Sequence, residues 1–215
     1  MNGSPRKNWN THRMLASAMQ GAQDAGAECE IVNLYELPAF RGCMSCFACK
    51  LKNAKTNGLC AIRDSLRPVL EKALESDVLV AGSPVYFSYP TGMFRLFIER
   101  LLFPVMSYSM NPDGTRPRAI SKTIYSGIIY TMNCPEDLAE KVHYPEYLAP
   151  NSDAMRIVLG YCETLCAYNT YQFADYSRYE ANVFSEPDKA RYRDEQFPKD
   201  LASAYELGKR LAEKV

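Results

Sequence analysis

The sequence predicts an α/β protein built on a doubly wound parallel sheet with helices on both faces. Apolar residues recur at helical spacing in several stretches, and short apolar runs typical of strands separate these stretches. The run Val78-Leu79-Val80-Ala81 lacks polar alternation, as expected for a parallel strand covered on both faces. Residues 1–215 contain no linker or low-complexity tract, so we expect a single domain.

The first half of the chain predicts two helices and two strands. The first helix follows Thr11, with Asn10 or Thr11 as its cap, and its apolar residues recur at helical spacing: Met14, Leu15, Ala18, Met19 and Ala22. Residues 28–37 alternate between apolar and polar side chains, which predicts a strand. After a loop over residues 39–63, a second helix is predicted from Leu66, Val69, Leu70, Ala73 and Leu74. The apolar strand at residues 78–81 then runs into a turn.

The second half continues the alternation. A third helix begins at Thr91 and ends at Pro104, and residues 123–131 predict another buried strand. The final predicted elements are a helix from Asn151 or Ser152 to Tyr161, a strand at residues 164–168 and a helix from about Pro198.

Composition excludes several classes of partner. The 25 basic and 25 acidic residues balance, so no charge excess favours nucleic acid. No apolar run approaches the roughly 20 residues of a membrane span, and the first residues lack the apolar core of a signal peptide. We therefore expect a cytoplasmic protein that acts on a small molecule, without nucleic acid or membrane as partner.

The first eleven residues form a candidate phosphate-binding loop ahead of the first helix. They bring small residues, hydroxyl and amide groups and the Arg6 guanidinium to a helix N-terminus, a combination that binds phosphate. The alternative interpretation is a flexible terminus that only caps the helix. A second turn, residues 83–87, lies beyond the carboxyl end of a predicted strand, where open α/β sheets bind ligands.

Half of the eight cysteines cluster in the long loop. A chain of this size does not need disulfides, so we expect thiols or metal ligands. The clustered residues are Cys43, Cys46, Cys49 and Cys60, whereas the other four lie in apolar or strand-like surroundings typical of a core.

These motifs together resemble one known family. Asn2-Gly3-Ser4-Pro5-Arg6-Lys7 with Asn10-Thr11, the Cys43-x2-Cys46-x2-Cys49 run, and Ser83-Pro84-Val85-Tyr86-Phe87 with Glu99-Arg100 are similar to the NAD(P)H-dependent FMN reductase and iron–sulfur flavoprotein group of the flavodoxin-like superfamily. The match covers roughly the first half of the chain. The second half resembles the family mainly in its pattern of strands and helices.

The resemblance implies a flavodoxin-like sheet of order 2-1-3-4-5 and an FMN site made of three loops. It places the FMN phosphate at Ser4, Arg6, Asn10 and Thr11. It places the isoalloxazine ring beside Pro84, Val85, Tyr86 and Phe87, and a third flavin-side loop at Thr131, Met132 and Asn133. No side chain is expected to act as a catalytic acid or base, because the flavin carries the chemistry.

The implied activity is electron transfer from NAD(P)H through FMN to a quinone, a nitro or azo compound, free flavin or another acceptor. A contrasting interpretation is a non-enzymatic electron carrier that uses flavin, with or without a cluster. A homodimer or homotetramer is also implied, and the segment of residues 106–121 and the cysteine loop are the expected interfaces.

Three alternatives are open for the cysteine cluster. The resemblance permits a [4Fe–4S] centre held by Cys43, Cys46, Cys49 and Cys60, and zinc would also accept four thiolates. The third alternative is free thiols in a loop that faces a partner. Ten residues separate Cys49 from Cys60, which is longer than the spacer of relatives that bind clusters.

Two departures from the family concern the phosphate loop. Trp9 stands where the family usually has glycine. The strand expected before the loop is apparently missing from the sequence, and it would be the central strand of the sheet. Either the start of the chain is short or the sheet is rearranged.

Overall fold

The computed structural model describes residues 1–53, 56 and 58–215. Three parallel strands form its sheet: β1 (Val78–Tyr86), β3 (Ile124–Thr131) and β4 (Gly160–Ala167). The two-residue strand β2 (Tyr89–Pro90) pairs antiparallel with the end of β1, which gives the order β2-β1-β3-β4. In the flavodoxin-like order 2-1-3-4-5, the three parallel strands occupy the last three places. The predicted fold class is therefore confirmed.

Seven α-helices are present in the described part of the chain. They are α1 (Asn10–Asp24), α2 (Arg67–Glu75), α3 (Gly92–Val105), α4 (Glu136–Lys141), α5 (Tyr144–Leu159), α6 (Glu186–Glu195) and α7 (Phe197–Ala212). None of these helices is long and apolar enough to cross a membrane.

Two apolar cores cover the two faces of the sheet. One lies among α2, α3, α5 and the sheet, with Leu70, Phe97 and Ile128 at its centre. The other lies between the sheet and the packed pair α1 and α7, around Met14, Ile129 and Leu207. Gly21 and Gly208 let these two helices touch, since a Cβ on either glycine would clash with the backbone of the other helix. The predicted doubly wound arrangement follows from these two layers.

The strand predicted at residues 28–37 does not form. This segment makes a single parallel bridge from Asn33 to Asn2, and Leu34–Glu36 turn into a 3₁₀ helix. A strand needs a hydrogen-bonded neighbour along its length, and here only the three residues Met1–Gly3 lie between this segment and β1. The alternation of apolar and polar side chains cannot show whether a strand has a hydrogen-bonded neighbour, so the sequence pattern did not exclude this strand.

Two other predicted elements have different bounds. Helix α5 begins at Tyr144, well before the predicted cap, and carries Pro150 inside it. The strand that follows spans Gly160–Ala167 rather than residues 164–168, because Gly160 ends α5 with a φ of 105° and starts β4 at once. The described residues of the long loop predicted over residues 39–63 are irregular apart from the short 3₁₀ helix Ala48–Lys50. Residues 54, 55 and 57 of that loop lie outside the described residues.

Candidate functional site

The N-terminal loop leads from the sheet to the start of α1. The amide of Gly3 donates to the carbonyl of Gly82 at 2.8 Å, which joins the loop to β1. Ser4 is buried, and its hydroxyl accepts a hydrogen bond from the amide of Arg6 at 3.1 Å, closing a tight turn. Trp9 precedes the helix without a side-chain cap, and the first turn of α1 contains no acidic residue. The amide groups of this turn are therefore directed at the loop, as in an anion site.

Arg6 and Asn10 face the segment that follows β4. Arg6 Nη1 donates to the carbonyl of Gln172 at 2.6 Å, and Asn10 Nδ2 donates to the carbonyl of Tyr171 at 2.9 Å. Both acceptors are neutral, and Arg6 belongs to none of the ion pairs found among the described residues. The loop thus carries a positive charge that no carboxylate of the described chain neutralises.

Trp9 has a definite place in this loop. The guanidinium of Arg6 lies 4.2 Å from the centre of the Trp9 ring, and Trp9 Nε1 donates to the carbonyl of Tyr171 at 3.2 Å. The ring therefore supports Arg6 by a cation–π contact and fixes the Tyr171 segment. A glycine at position 9 could do neither.

The second predicted loop continues β1 beyond the sheet edge. Phe87 and Ser88 both have left-handed backbones, with φ of 50° and 71°, and Phe87 is 97% exposed. Tyr86 is half-exposed, and burial together with the nearby Tyr35 raises its pKa, while the positive charge of Arg6 opposes the increase. The first two loops converge, since the amide of Gly3 bonds to the carbonyl of Gly82 in β1. Pro84 and Val85 lie at the end of β1 between them.

Buried hydroxyl groups connect the first two loops. Thr91 Oγ1 donates to the carbonyl of Gly3 at 2.7 Å and also caps α3 by accepting from the amide of Phe94. Ser83 Oγ accepts from the amide of Thr91 at 2.9 Å. These bonds fix the start of α3, the end of β1 and the N-terminal loop relative to one another. The relative positions of the first two loops are therefore set by buried hydrogen bonds to the backbone.

The third predicted loop joins the other two through Thr131. Its hydroxyl lies 2.7 Å from that of Thr11, and both residues are buried. Met132 is also buried, and its carbonyl accepts from Thr170 Oγ1 at 3.0 Å, whereas the side chain of Asn133 is exposed. The structure therefore brings all three predicted loops to the carboxyl edge of the sheet, with Met132 packed in the core.

Lys189 supports the third loop and was not identified from the sequence. This lysine of α6 is only 1% exposed, and its Nζ donates to the carbonyl of Asn133 at 2.7 Å and to Asn169 Oδ1 at 2.8 Å. Burial lowers its pKa to about 8. No sequence signal distinguishes Lys189, because α6 is otherwise polar and most lysines in such a helix are solvated.

The four clustered cysteines line one small cavity between the loop and α3. Cys43 and Cys46 are exposed, Cys49 is half-buried and Cys60 is buried. Burial raises the pKa of the Cys49 thiol. The cavity has a volume of about 10 Å³, and no three His, Cys, Asp or Glu side chains of the described residues are gathered as they would be around one metal ion.

Arg100 closes the inner wall of this cavity. It is 1% exposed, pairs with Asp64 at 2.6 Å and donates to the carbonyls of Arg41 and Ile62, each at 3.0 Å. Burial alone would lower the pKa of the guanidinium, but Asp64 and the adjacent Cys60 raise it. Its Nε is buried without a hydrogen-bond partner among the described residues.

An unpartnered buried donor of this kind suits an anionic sulfur nearby. Four thiols are a donor set that either an iron–sulfur cluster or a zinc ion accepts. The cavity's present volume, in contrast, is far too small for a cluster.

Comparison with solved structures agrees with this architecture. An NAD(P)H:quinone oxidoreductase from Methanothermobacter marburgensis superimposes with a TM-score of 0.64, covering 97% of this chain and 93% of its own at 14% identity. An FMN-dependent NADH-azoreductase from Bacillus anthracis, solved in complex with FMN, gives a TM-score of 0.62 over 98% and 96% of the two chains at 12% identity. At such identities the likeness concerns the fold, which is flavodoxin-like.

Sequence comparison identifies the family. The family model described as NADPH-dependent FMN reductase matches residues 1–126, and the chain belongs to this family. An iron-sulfur flavoprotein of Archaeoglobus fulgidus is 30% identical over 142 residues, which are 59% of this chain and 66% of that protein. An iron-sulfur flavoprotein of Methanocaldococcus jannaschii is 30% identical over 100 residues, 46% and 49% of the two chains. The chain thus spans about half to two thirds of the length of these relatives.

Proposed function

We propose that the protein is an FMN-dependent oxidoreductase that passes electrons from NAD(P)H through the bound flavin to a second substrate. The observation that carries the proposal is the unneutralised Arg6 at the uncapped start of α1, beside two further loops at the same sheet edge. A phosphate dianion would supply the missing negative charge. Membership of the FMN reductase family makes FMN the group with that phosphate.

The chain's own residues have separate tasks in this proposal. Ser4, Arg6, Asn10 and Thr11 hold the phosphate, and the backbone at Pro84–Phe87 and Thr131–Asn133 lines the ring. FMN supplies hydride transfer when bound. The exposed Tyr86 and Phe87 lie where they can cover or contact a planar ring while leaving room for a second substrate. Quinones and azo compounds are suitable acceptors, as in the two solved reductases with this fold.

The test is a flavin titration followed by anaerobic reduction. The purified protein should take up FMN in a one-to-one ratio, and stoichiometric NADPH or NADH should bleach the flavin absorption within the mixing time of a stopped-flow experiment. Rapid reoxidation by a quinone or an azo dye should follow. A protein that leaves added FMN free in solution would overturn the proposal.

An electron carrier is the second candidate, and the cysteine cavity favours it. We propose Cys43, Cys46, Cys49 and Cys60 as ligands of a [4Fe–4S] cluster, because the four thiols share one cavity beside the unpartnered Arg100 Nε. Binding requires the exposed segment with Cys43 and Cys46 to move outward. Flavin that is bleached by a one-electron donor, but not by NAD(P)H, would support the carrier over the oxidoreductase.

We also propose that the protein is a homodimer or homotetramer. Met44, Phe47, Tyr108 and Met110 are all exposed, and they belong to the two segments expected at the interface. Phe47 and Tyr108 pack with Phe103, which makes the two segments one continuous surface. An exposed apolar surface of this kind is typical of subunit contacts. Sedimentation equilibrium of the wild type and of a Tyr108→Lys, Met110→Lys variant tests it, since the variant should be monomeric.

A further inference from the structure

Lys189 holds a buried positive charge behind the third loop. Its ammonium donates to the carbonyls of Asn133 and Thr170, at 2.7 and 3.5 Å, and to Asn169 Oδ1 at 2.8 Å. The centre of the Phe184 ring lies 5.0 Å from the ammonium and adds a cation–π contact. All of these partners are neutral, so they orient the ammonium and leave its charge in place.

No carboxylate of the described residues neutralises this charge. Lys189 belongs to none of the ion pairs found in that part of the chain. The two acidic residues nearest to it along α6 have other partners. Asp188 pairs with Arg191 at 2.8 Å, and Glu186 accepts from the hydroxyl of Tyr171 at 2.8 Å. A buried charge without a counter-ion costs free energy, and this cost lowers the pKa of Lys189 to about 8, which still leaves the ammonium charged at neutral pH.

The partners of Lys189 belong to two segments that meet at the carboxyl edge of the sheet. The amide of Asn169 donates to the carbonyl of Cys134 at 2.8 Å, and the amide of Thr170 donates to the carbonyl of Met132 at 2.9 Å. Asn169 has a left-handed backbone with a φ of 45°, a conformation that asparagine and aspartate adopt more readily than most residues. Lys189 therefore lies where the third loop is joined to the segment that follows β4.

A charge at this position acts on the redox balance of a flavin beside the third loop. Hydride transfer from NAD(P)H, which is oxidised to NAD(P)⁺, adds one negative charge to the neutral oxidised ring. A positive charge nearby stabilises the reduced ring and has little effect on the neutral one. Contact with the ring is not required, because at an effective dielectric constant of about 20 two unit charges about 10 Å apart shift an equilibrium by roughly tenfold.

We propose that Lys189 is a positioning residue whose buried ammonium, held behind Asn133, makes the site bind reduced FMN in preference to oxidised FMN. This inference rests on the proposed function, since it requires FMN beside the third loop. The preference raises the reduction potential of the bound flavin. Because a flavin of higher potential accepts hydride more readily, Lys189 favours the reductive half of the proposed reaction.

The test is an anaerobic redox titration of the FMN-loaded protein against an indicator dye at neutral pH. The potential of bound FMN relative to free FMN gives the ratio of the Kd for reduced FMN to the Kd for oxidised FMN. Lys189→Met removes the charge. Asn169→Asp places a carboxylate against the ammonium and leaves the lysine where it is.

Two variants at exposed positions are the matched controls. Lys199→Met removes a positive charge from α7, and Gln23→Glu adds a negative charge to the last turn of α1. Solvent and salt screen exposed charges, so these variants should change the ratio by less than about twofold. Both Lys189→Met and Asn169→Asp should raise it at least about tenfold, which corresponds to a fall of about 30 mV in the two-electron potential.

Each other outcome contradicts the proposal in its own way. A ratio that rises in Lys189→Met alone would assign the effect to the lost loop contacts rather than to the charge, and would overturn the proposal. Wild-type ratios in both variants would overturn it as well, while the proposed function would stand because FMN is bound. Protein that takes up no FMN would overturn both. If Lys189→Met does not fold, Asn169→Asp alone decides.

Discussion

The hydroxyl groups of Thr11 and Thr131 lie 2.7 Å apart, and this buried bond joins the first turn of α1 to the last residue of β3. It connects the phosphate loop to the third loop across the sheet edge. Thr11 and Thr131 are separated by 120 positions in the sequence. The bond between them therefore forms only when the sheet has its native register. The proposed cofactor site therefore depends on one small polar contact in its interior.

Replacement of Thr131 by valine should leave the Thr11 hydroxyl buried without a partner. The expected loss is about 1–2 kcal/mol in the free energy of unfolding, measured by urea denaturation. Thr164→Val is the control, since Thr164 is exposed on the adjacent strand β4. In the double variant Thr11→Val, Thr131→Val both partners are gone, so the two losses should not add, and the coupling should be about 1 kcal/mol. Additive losses would show that the bond contributes nothing.

The sequence predicted the loops well because each is a local pattern at the end of an apolar strand. The family resemblance placed Ser4, Tyr86 and Thr131 in three loops of one site, and the folded chain brings these loops to one sheet edge. That these residues bind a flavin stays a prediction. The bounds of α5 could not be predicted from the sequence. Proline is common near the start of a helix, but Pro150 lies inside α5. Lys189 also escaped prediction, because its burial depends on loops that only the folded chain brings together.

The charge of Arg6 should decide the preference for FMN over riboflavin. Arg6→Gln should weaken FMN binding about 10- to 100-fold, because a charge-assisted hydrogen bond to phosphate contributes about 1.5–3 kcal/mol. Riboflavin binding should change by less than about threefold, since that ligand has no phosphate. Fluorescence quenching of each flavin measures both constants.

Lys7→Gln is the matched control for Arg6. It removes the same charge from the same loop, but the Lys7 ammonium is exposed and already paired with Glu36 at 2.7 Å. Its effect on FMN should stay within about threefold. If Lys7→Gln and Arg6→Gln weakened FMN equally, the phosphate would be recognised by the general charge of the loop rather than by Arg6.

Lys189 should make stability increase with pH above about 8. Burial lowers its folded pKa to about 8 from an ordinary value of 10.5, so between these values the unfolded chain binds more protons than the folded chain. The free energy of unfolding consequently rises with pH between these two pKa values. Below about pH 8, Lys189 is protonated in both the folded and the unfolded chain, so it adds no pH dependence there. The full change is at most about 3 kcal/mol.

Urea denaturation at about pH 7.5 and about pH 10 measures this dependence. Lys189→Met should lose the increase, whereas Lys199→Met, which replaces an exposed lysine on α7, should keep it. Cysteine and tyrosine residues titrate in the same pH range and contribute to the pH dependence of both variants. The contribution of Lys189 is therefore the difference in pH dependence between Lys199→Met and Lys189→Met. An equal pH dependence in both would exclude Lys189 as its source.

Cys60 should be required for any iron that the protein holds. It is the buried member of the four cavity thiols and lies against Arg100, so a cluster bound there cannot form its inner ligand without it. Anaerobic reconstitution with iron and sulfide should give about four iron atoms per chain in the wild type and fewer than one in Cys60→Ser. Cys29→Ser is the control, because Cys29 lies outside the cavity and should keep the full iron content. Wild-type protein that binds flavin but retains no iron after gel filtration would show that the four thiols are free, and one tightly bound zinc per chain would show a zinc site instead.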